Sequence, residues 1–391
     1  MSETVKMGVI GIGIMGRLHI QDIAALQNTE LVAVCDVDKA KADQFAADTQ
    51  TTAYYDYRDL LNHACLDAII VATPHYDHAP ISIDALQKGL HVLVEKPIAV
   101  HVKDARRMIA AYETAKQQYP SLVFGAVFMQ RTYGHWLKIK AMIDGGELGR
   151  LVRTTWIVTD WFRTQSYYDN GGWRATWKGE GGGVLLNQCP HNLDLYQWFV
   201  GMPQRVTGSV TLGKYHHIEV EDEVTAYFEH ENGMIGHFIT STAESPGTNR
   251  LEIVGENGRL VYENQQLTFF RNQRSMFQQI EDAPGGFDKV PFEQSLVPFE
   301  HHGQPGHRFV IDNFADAVLN GASLIAPAAE GINSVMLANS ILWSSFERQA
   351  VDLPLDADAY ANKLASLIGT SSFQKAAPKT TAAANDLSKS F

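Results

Sequence analysis

The sequence predicts two α/β units in tandem: an N-terminal domain built on a parallel sheet, then an α+β domain built on an antiparallel one. Three observations predict this. The first third alternates short apolar, β-branched runs with helical patterns. The glycine-rich run GIGIMG joins the first strand to the first helix, and from about residue 151 the rhythm changes to strand-like runs separated by turns. The first pattern implies parallel βαβ units with right-handed crossovers, the last implies hairpins.

Taken in order, KMGVIGI reads as a strand, followed by a helix over about residues 15–26. LVAVCDV is the second strand and KAKADQFAADT the second helix. A short helix after Tyr57 leads to the strand LDAIIVAT, and HAPISIDALQKG is helical with Gly89 as its stop. The next apolar run, HVLV, ends in Glu95, Lys96 and Pro97. A helix over about 102–118 and the strand LVFGAVF follow. Then LVRTTWIVT, RVTGSVTL, EVTAYFEH, GMIGHFITST, RLEIVG, GRLVYE and QLTFFR read as strands, with ENG at two of the turns. NQCPHNLDLYQWFVG is expected to be one helix, and helices over about 307–319 and at INSVMLANSILWSSFERQ follow the strands. The expected division is 1–128, 129–369, and a tail 370–391, rich in Ala, Ser, Thr and Lys, that is weakly ordered or an arm.

A chain of 391 residues is long for one core, which agrees with two domains. No apolar run approaches the roughly 18–20 residues of a membrane span, and the start MSETVKMG lacks a secretory pattern. Three scattered cysteines form no disulfide framework, so a cytoplasmic location is expected. A net charge of −12 argues against general nucleic-acid binding. No histidine or cysteine spacing resembles a metal motif, and His216–His217 and His301–His302 are read as surface or loop residues.

Gly11, Gly13 and Gly16 form G-x-G-x-x-G between a strand and a helix, and a second strand ends at Asp36. This is the Rossmann dinucleotide arrangement, with Ile14 and Met15 beside the phosphates at the helix N-terminus. Asp36 is expected to accept the adenosine ribose hydroxyls. With no arginine beside it, NAD is expected over NADP. Asp38 is read as a helix cap.

GIGIMG, ATPHYDHAPISIDAL, EKP, GGGVLLNQCPHNLDL and NSILWSSFERQAVDLP together resemble the Gfo/Idh/MocA family of NAD(P)-dependent oxidoreductases over roughly residues 5–356. The resemblance implies a Rossmann domain plus a C-terminal domain with a large, mostly antiparallel open sheet, whose free face supports a homo-oligomer, dimer or tetramer. It also implies a small sugar or cyclitol as substrate. Thr73, Pro74, His75, His78, Glu95 and Lys96 would line the cofactor crevice, since ligands bind beyond the carboxyl ends of parallel strands. Lys96 would reach the reacting hydroxyl, and His191 would take its proton.

Asn187, His191 and Asp194 are spaced to share one helical face. Many relatives carry aspartate where this chain has Asn187, so Lys96 and His191 are expected to lack an anionic neighbour. Trp173, Arg174, Arg163 and Tyr168 are the substrate-binding candidates, drawn from an aromatic, glycine-rich segment that also holds Trp161, Tyr167 and Trp177; Asn187 and His191 join them. The activity so implied is reversible oxidation of a ring secondary alcohol. The alternatives are a glycosidase that retains NAD and acts by transient oxidation, and a non-catalytic dinucleotide-binding regulator.

Overall fold

The computed structural model describes residues 4–62, 65–170, 172–301 and 303–375. Its first sheet comprises β1 (Val5–Ile10), β2 (Thr29–Cys35), β3 (Thr52–Tyr54), β4 (Ala68–Val71), β5 (His91–Val94) and β6 (Phe124–Ala126). All pairings are parallel and the order is β3-β2-β1-β4-β5-β6. Helices cover both faces, which is why AIIV in β4 is buried throughout rather than alternating. The order reverses between β1 and β4, and a crevice opens there beyond the strand ends.

The second sheet comprises β7 (Leu151–Val158), β8 (Arg205–Leu212), β9 (Glu221–Glu229), β10 (Ile235–Ser241), β11 (Asn249–Gly255), β12 (Gly258–Glu263), β13 (Gln266–Asn272), β14 (Phe292–Leu296) and β15 (Val351–Asp352). Its order is β14-β13-β12-β11-β7-β10-β9-β8-β15, antiparallel except for the parallel pair β7–β10. Burial alternates along β9 and β13 because helix Gly331–Glu347 and its neighbours cover one face only.

The structure departs from the sequence reading at several points. Helix His307–Asn320 belongs to the later part of the chain, yet its Val310, Ile311 and Phe314 share a core with Met7, Val9 and Leu93 of the first sheet. The helix expected over NQCPHNLDLYQWFVG is two helices, Val184–Asn187 and Pro190–Val200. Pro190 has no N–H to continue the first and instead opens the second. Helices Gly134–Asp144 and Ala357–Thr370 were not anticipated. Of the tail, 371–375 is described; the rest of that expectation lies outside the described residues.

Candidate active site

A cavity of about 440 Å³ lies beyond the carboxyl ends of the parallel strands. One end is made by the glycine loop. Gly11 has φ +91°, and a Cβ there would sit 2.7 Å from the Ala72 carbonyl oxygen. A Cβ on Gly16 would come within 1.9 Å of the Gly11 carbonyl oxygen, so Gly16 serves the packing of helix on strand and does not line the cavity. Helix Ile14–Ala25 starts at Gly13 with no side-chain cap and no acid in its first turn. Gly13, Ile14 and Met15 all line the cavity, so the positive end of that helix faces it.

Asp36 closes the same end. Its carboxylate accepts from Ile12 N at 2.8 Å and Asp38 N at 2.9 Å, and pairs with Lys41 Nζ at 3.2 Å. Asp38 caps the following helix by accepting from Lys41 N. An open apolar-walled space, an anion-attracting helix end and a ribose-height carboxylate fit a dinucleotide with unphosphorylated ribose. Lys41 and the exposed Val37 beside it escaped the sequence reading.

Thr73, Pro74, His75, His78, Glu95 and Lys96 all line the cavity. His78 lies between two turns, Nδ1 at 2.8 Å from the Pro97 carbonyl oxygen and Nε2 at 2.9 Å from that of Thr73. It therefore ties the end of β4 to the Glu95-Lys96-Pro97 turn. Burial of Glu95 would raise its pKa, but hydrogen bonding and charge from His19 bring it down to about 2. That contact, 2.9 Å from His19 Nε2, fastens the turn to helix Ile14–Ala25.

Lys96 Nζ donates to the Asn187 carbonyl oxygen at 2.8 Å. Burial lowers its pKa; the charges of Glu95 and Glu180 oppose the loss, and Arg174 and Arg163 add to it. The Asn187 side-chain amide donates to Glu180. Glu180 is buried and accepts from Ala175 N at 2.6 Å; burial raises its pKa against the charge of Arg174. Lys96 therefore does have a further anionic neighbour, Glu180, which also accepts from the Asn187 side chain; Glu180 is not among the charges felt by His191. A lone carboxylate inside the run GEGGG was the available signal. The glycines after it let Val184–Asn187 pack close: a Cβ on Gly183 would lie 1.9 Å from the Glu221 carbonyl oxygen, and Glu221 accepts from Gly183 N and Leu185 N.

His191 is 3% exposed, neither ring nitrogen has a hydrogen-bond partner, and it is not among the residues lining the cavity. Burial, reinforced by the Lys96 charge, holds its pKa well below the ordinary histidine value. It is close enough to Lys96 to feel it, but Asn187 forms the wall. Asp194 does not share that site: it pairs with Arg131 through two bonds of 2.7 and 2.8 Å, both side chains 1% exposed. The break at Pro190 separates Asn187 from His191 and Asp194, which stay on one helix.

On the opposite wall stand Tyr167, Asn170, Trp173 and Arg174. Arg174 donates to Tyr167 OH at 2.7 Å and lies 4.8 Å from the Trp173 ring centre. Tyr168 is a correction: its hydroxyl donates to Thr242 at 2.9 Å in the core, and Tyr167 faces the cavity instead. Successive residues of the short helix Gln165–Asp169 point in different directions, and only tertiary packing decides which is inside. Arg163 also lies off the cavity, stacked 5.1 Å from the Tyr167 ring centre. Trp177 is core, and burial pushes the Cys189 thiol to about 12, which removes it as a nucleophile. His216 pairs with Asp222 and His301 accepts from Gly134 N; His302 lies outside the described residues.

The family model for oxidoreductases with an NAD-binding Rossmann fold matches residues 5–121, and that for the GFO/IDH/MocA C-terminal domain matches 136–261. The chain belongs to the GFO/IDH/MocA oxidoreductase family. Among its relatives, the levoglucosan dehydrogenase of Pseudarthrobacter phenanthrenivorans is 24% identical over 90% of this chain and 99% of that protein. The inositol 2-dehydrogenase of Salmonella typhimurium is 32% identical over 38% of this chain; the match spans 44%, less than half, of that relative's length. Among solved structures, the WlbA dehydrogenase of Bordetella pertussis, in complex with NADH and UDP-GlcNAcA, superposes with a TM-score of 0.75 at 26% identity, covering 90% of this chain and all of that one. As in the family, NAD is the cofactor the Rossmann domain accommodates.

Proposed function

We propose that this GFO/IDH/MocA protein is an NAD-dependent dehydrogenase that oxidises a ring secondary alcohol of a sugar, glycoside or cyclitol. The observation that carries the reading is the position of Lys96. Its half-buried ammonium stands between the uncapped helix end, where NAD phosphates would bind, and the wall of Tyr167, Trp173 and Arg174. Relatives named for inositol and levoglucosan support the substrate class.

Gly13, Ile14, Met15 and Asp36 would hold NAD, which when bound supplies the hydride acceptor. Lys96 gives one of its three donors to Asn187 O and turns the others to the substrate oxygen, favouring negative charge there. His191, which lies behind Asn187 in this structure, would accept the hydroxyl proton on a ring nitrogen once the substrate reaches past that wall; burial keeps it neutral, and neither nitrogen has a protein partner to give up. Aromatic faces of Trp173 and Tyr167 cover the ring's C–H side while Arg174 donates to hydroxyls. Self-association is proposed through the open face of the second sheet, where Arg153, Arg250 and Arg259 surround Glu252.

Purified protein incubated with NAD and a panel of inositols, aldoses and glycosides is expected to produce NADH, followed by its absorbance. Glycoside cleavage without net NADH, or NAD binding with no turnover of any member, would overturn the reading.

A further inference from the structure

The segment after helix Ala357–Thr370 turns back across the substrate side of the site. Ser371, Phe373 and Lys375 are two residues apart, the spacing that puts side chains on one side of an extended chain. Each meets a different anchor. Ser371 Oγ donates to Glu219, whose other carboxylate oxygen accepts from Trp177 N at 2.9 Å. The Phe373 ring lies 5.1 Å from that of His217, and His217 N donates to Gln165 Oε1 at 2.8 Å. Lys375 Nζ donates to the Arg174 carbonyl oxygen at 3.0 Å.

The anchored points, Gln165, Arg174 and Trp177, bracket the cavity residues Tyr167 and Trp173. From its inner side the surrounding loop is held by Tyr76 OH, which donates to the Trp177 carbonyl oxygen at 2.8 Å, and by the buried Trp177 ring; the strap supplies the outer contacts. Thr176 caps its own turn, taking Glu180 N at 2.9 Å and Gly181 N at 3.1 Å on its carbonyl, and glycines occupy 179 and 181–183. Lys375 is also felt electrostatically by Glu180 and Arg174, two of the site's charged groups.

We propose that residues 371–375 form a strap that completes the substrate side of the site, with Lys375 as a positioning residue that sets the Arg174 backbone against Glu180. The strap fixes where Arg174, Trp173 and Tyr167 stand, and so governs sugar binding rather than dinucleotide binding. Only the turnover part of its test rests on the dehydrogenase reading.

The test uses the full chain and the variants Lys375→Met, Lys375→Arg and Phe373→Ala. Amide exchange over 172–183 is followed by mass spectrometry, alongside NAD affinity and the kinetics on whichever polyol is oxidised. Lys375→Met and Phe373→Ala are expected to speed exchange at Glu180 and Gly181 about tenfold. Both are expected to raise KM for the polyol about tenfold, with kcat within about twofold and NAD affinity unchanged. Lys375→Arg is expected to restore both readouts. Unchanged loop exchange in Lys375→Met overturns the strap whether or not a substrate has been found. A parallel loss of NAD affinity also overturns it, since that marks general loosening. Absence of turnover in the wild-type protein counts against the dehydrogenase reading alone, because exchange still reports on the strap.

Discussion

The side-chain amide of Asn187 donates to the Glu180 carboxylate, so the site holds an acid beside the uncharged residue 187. Restoring aspartate at 187 would set two carboxylates in contact inside a buried site, where both cannot ionise. Asn187→Asp is therefore expected to lower kcat/KM about tenfold or more at neutral pH. Glu180→Gln added to it is expected to recover most of the loss, measured as a double-mutant cycle. Additive losses would mean the two residues do not act as a pair.

Lys96 has to be charged to stabilise negative charge developing on the substrate oxygen. Its pKa is lowered from 10.5, chiefly by burial, so kcat/KM is expected to fall as pH rises through a value below 10.5. Glu180→Gln removes an opposing charge and should move that basic limb to lower pH. His191 sits well below 6.5 and is already neutral at physiological pH, so no acid limb is expected near 6.5. Lys96→Met is expected to cost about 10²–10³ in kcat/KM, and His191→Ala to abolish turnover, with NAD binding intact in both. Full activity in His191→Ala would remove that residue from the mechanism.

Asp36 and Lys41 decide the adenosine end. Asp36→Ser deletes the ribose acceptor and releases the Lys41 ammonium from its pair at 3.2 Å. NAD affinity is expected to fall about tenfold, while affinity for NADP rises because a freed cation meets the 2′-phosphate. Titration of both cofactors checks this; unchanged preference would place the ribose elsewhere.

The Arg131–Asp194 pair is buried and bidentate, and Arg131 also reaches Glu330. Asp194→Ala leaves the buried guanidinium with only the part-exposed Glu330 as counter-ion and is expected to destabilise the fold by about 3 kcal/mol in urea unfolding. Protein that still folds should retain NAD affinity. A mild effect on stability coupled to lost turnover would instead give Asp194 a part in the reaction.

Burial depresses His135 to about 3, and His230 and His307 to about 4. Above pH 6.5 these groups are neutral in both folded and unfolded chains and contribute nothing to the pH slope. Below it the unfolded chain binds their protons first, so stability falls until the folded values are reached. Melting temperature is expected to drop steadily between pH 6.5 and about 4. A flat profile over that interval would show that these rings are solvated.

Much of the site was legible in the sequence because its chemistry sits at strand ends. AIIV and the VLV of the next run read as central strands, since both faces are apolar, and a doubly wound sheet offers ligands whatever follows such strands. That fixed Thr73, Glu95 and Lys96, and the glycine spacing with Asp36 fixed the dinucleotide end. Between Tyr167 and Tyr168 the sequence has no means of choosing, because a five-residue helix is too short for periodicity to show its inner face. Nor could it foresee that Pro190 would split a helix and turn Asp194 to Arg131, a partner 63 residues away. Glu180 meeting Asn187, and Lys375 meeting Arg174, needed the folded chain, because burial and long-range approach, not local pattern, bring those charges together. The sequence by itself determined the Rossmann sheet and the lysine at its edge; tertiary structure alone decided what stands across from that lysine.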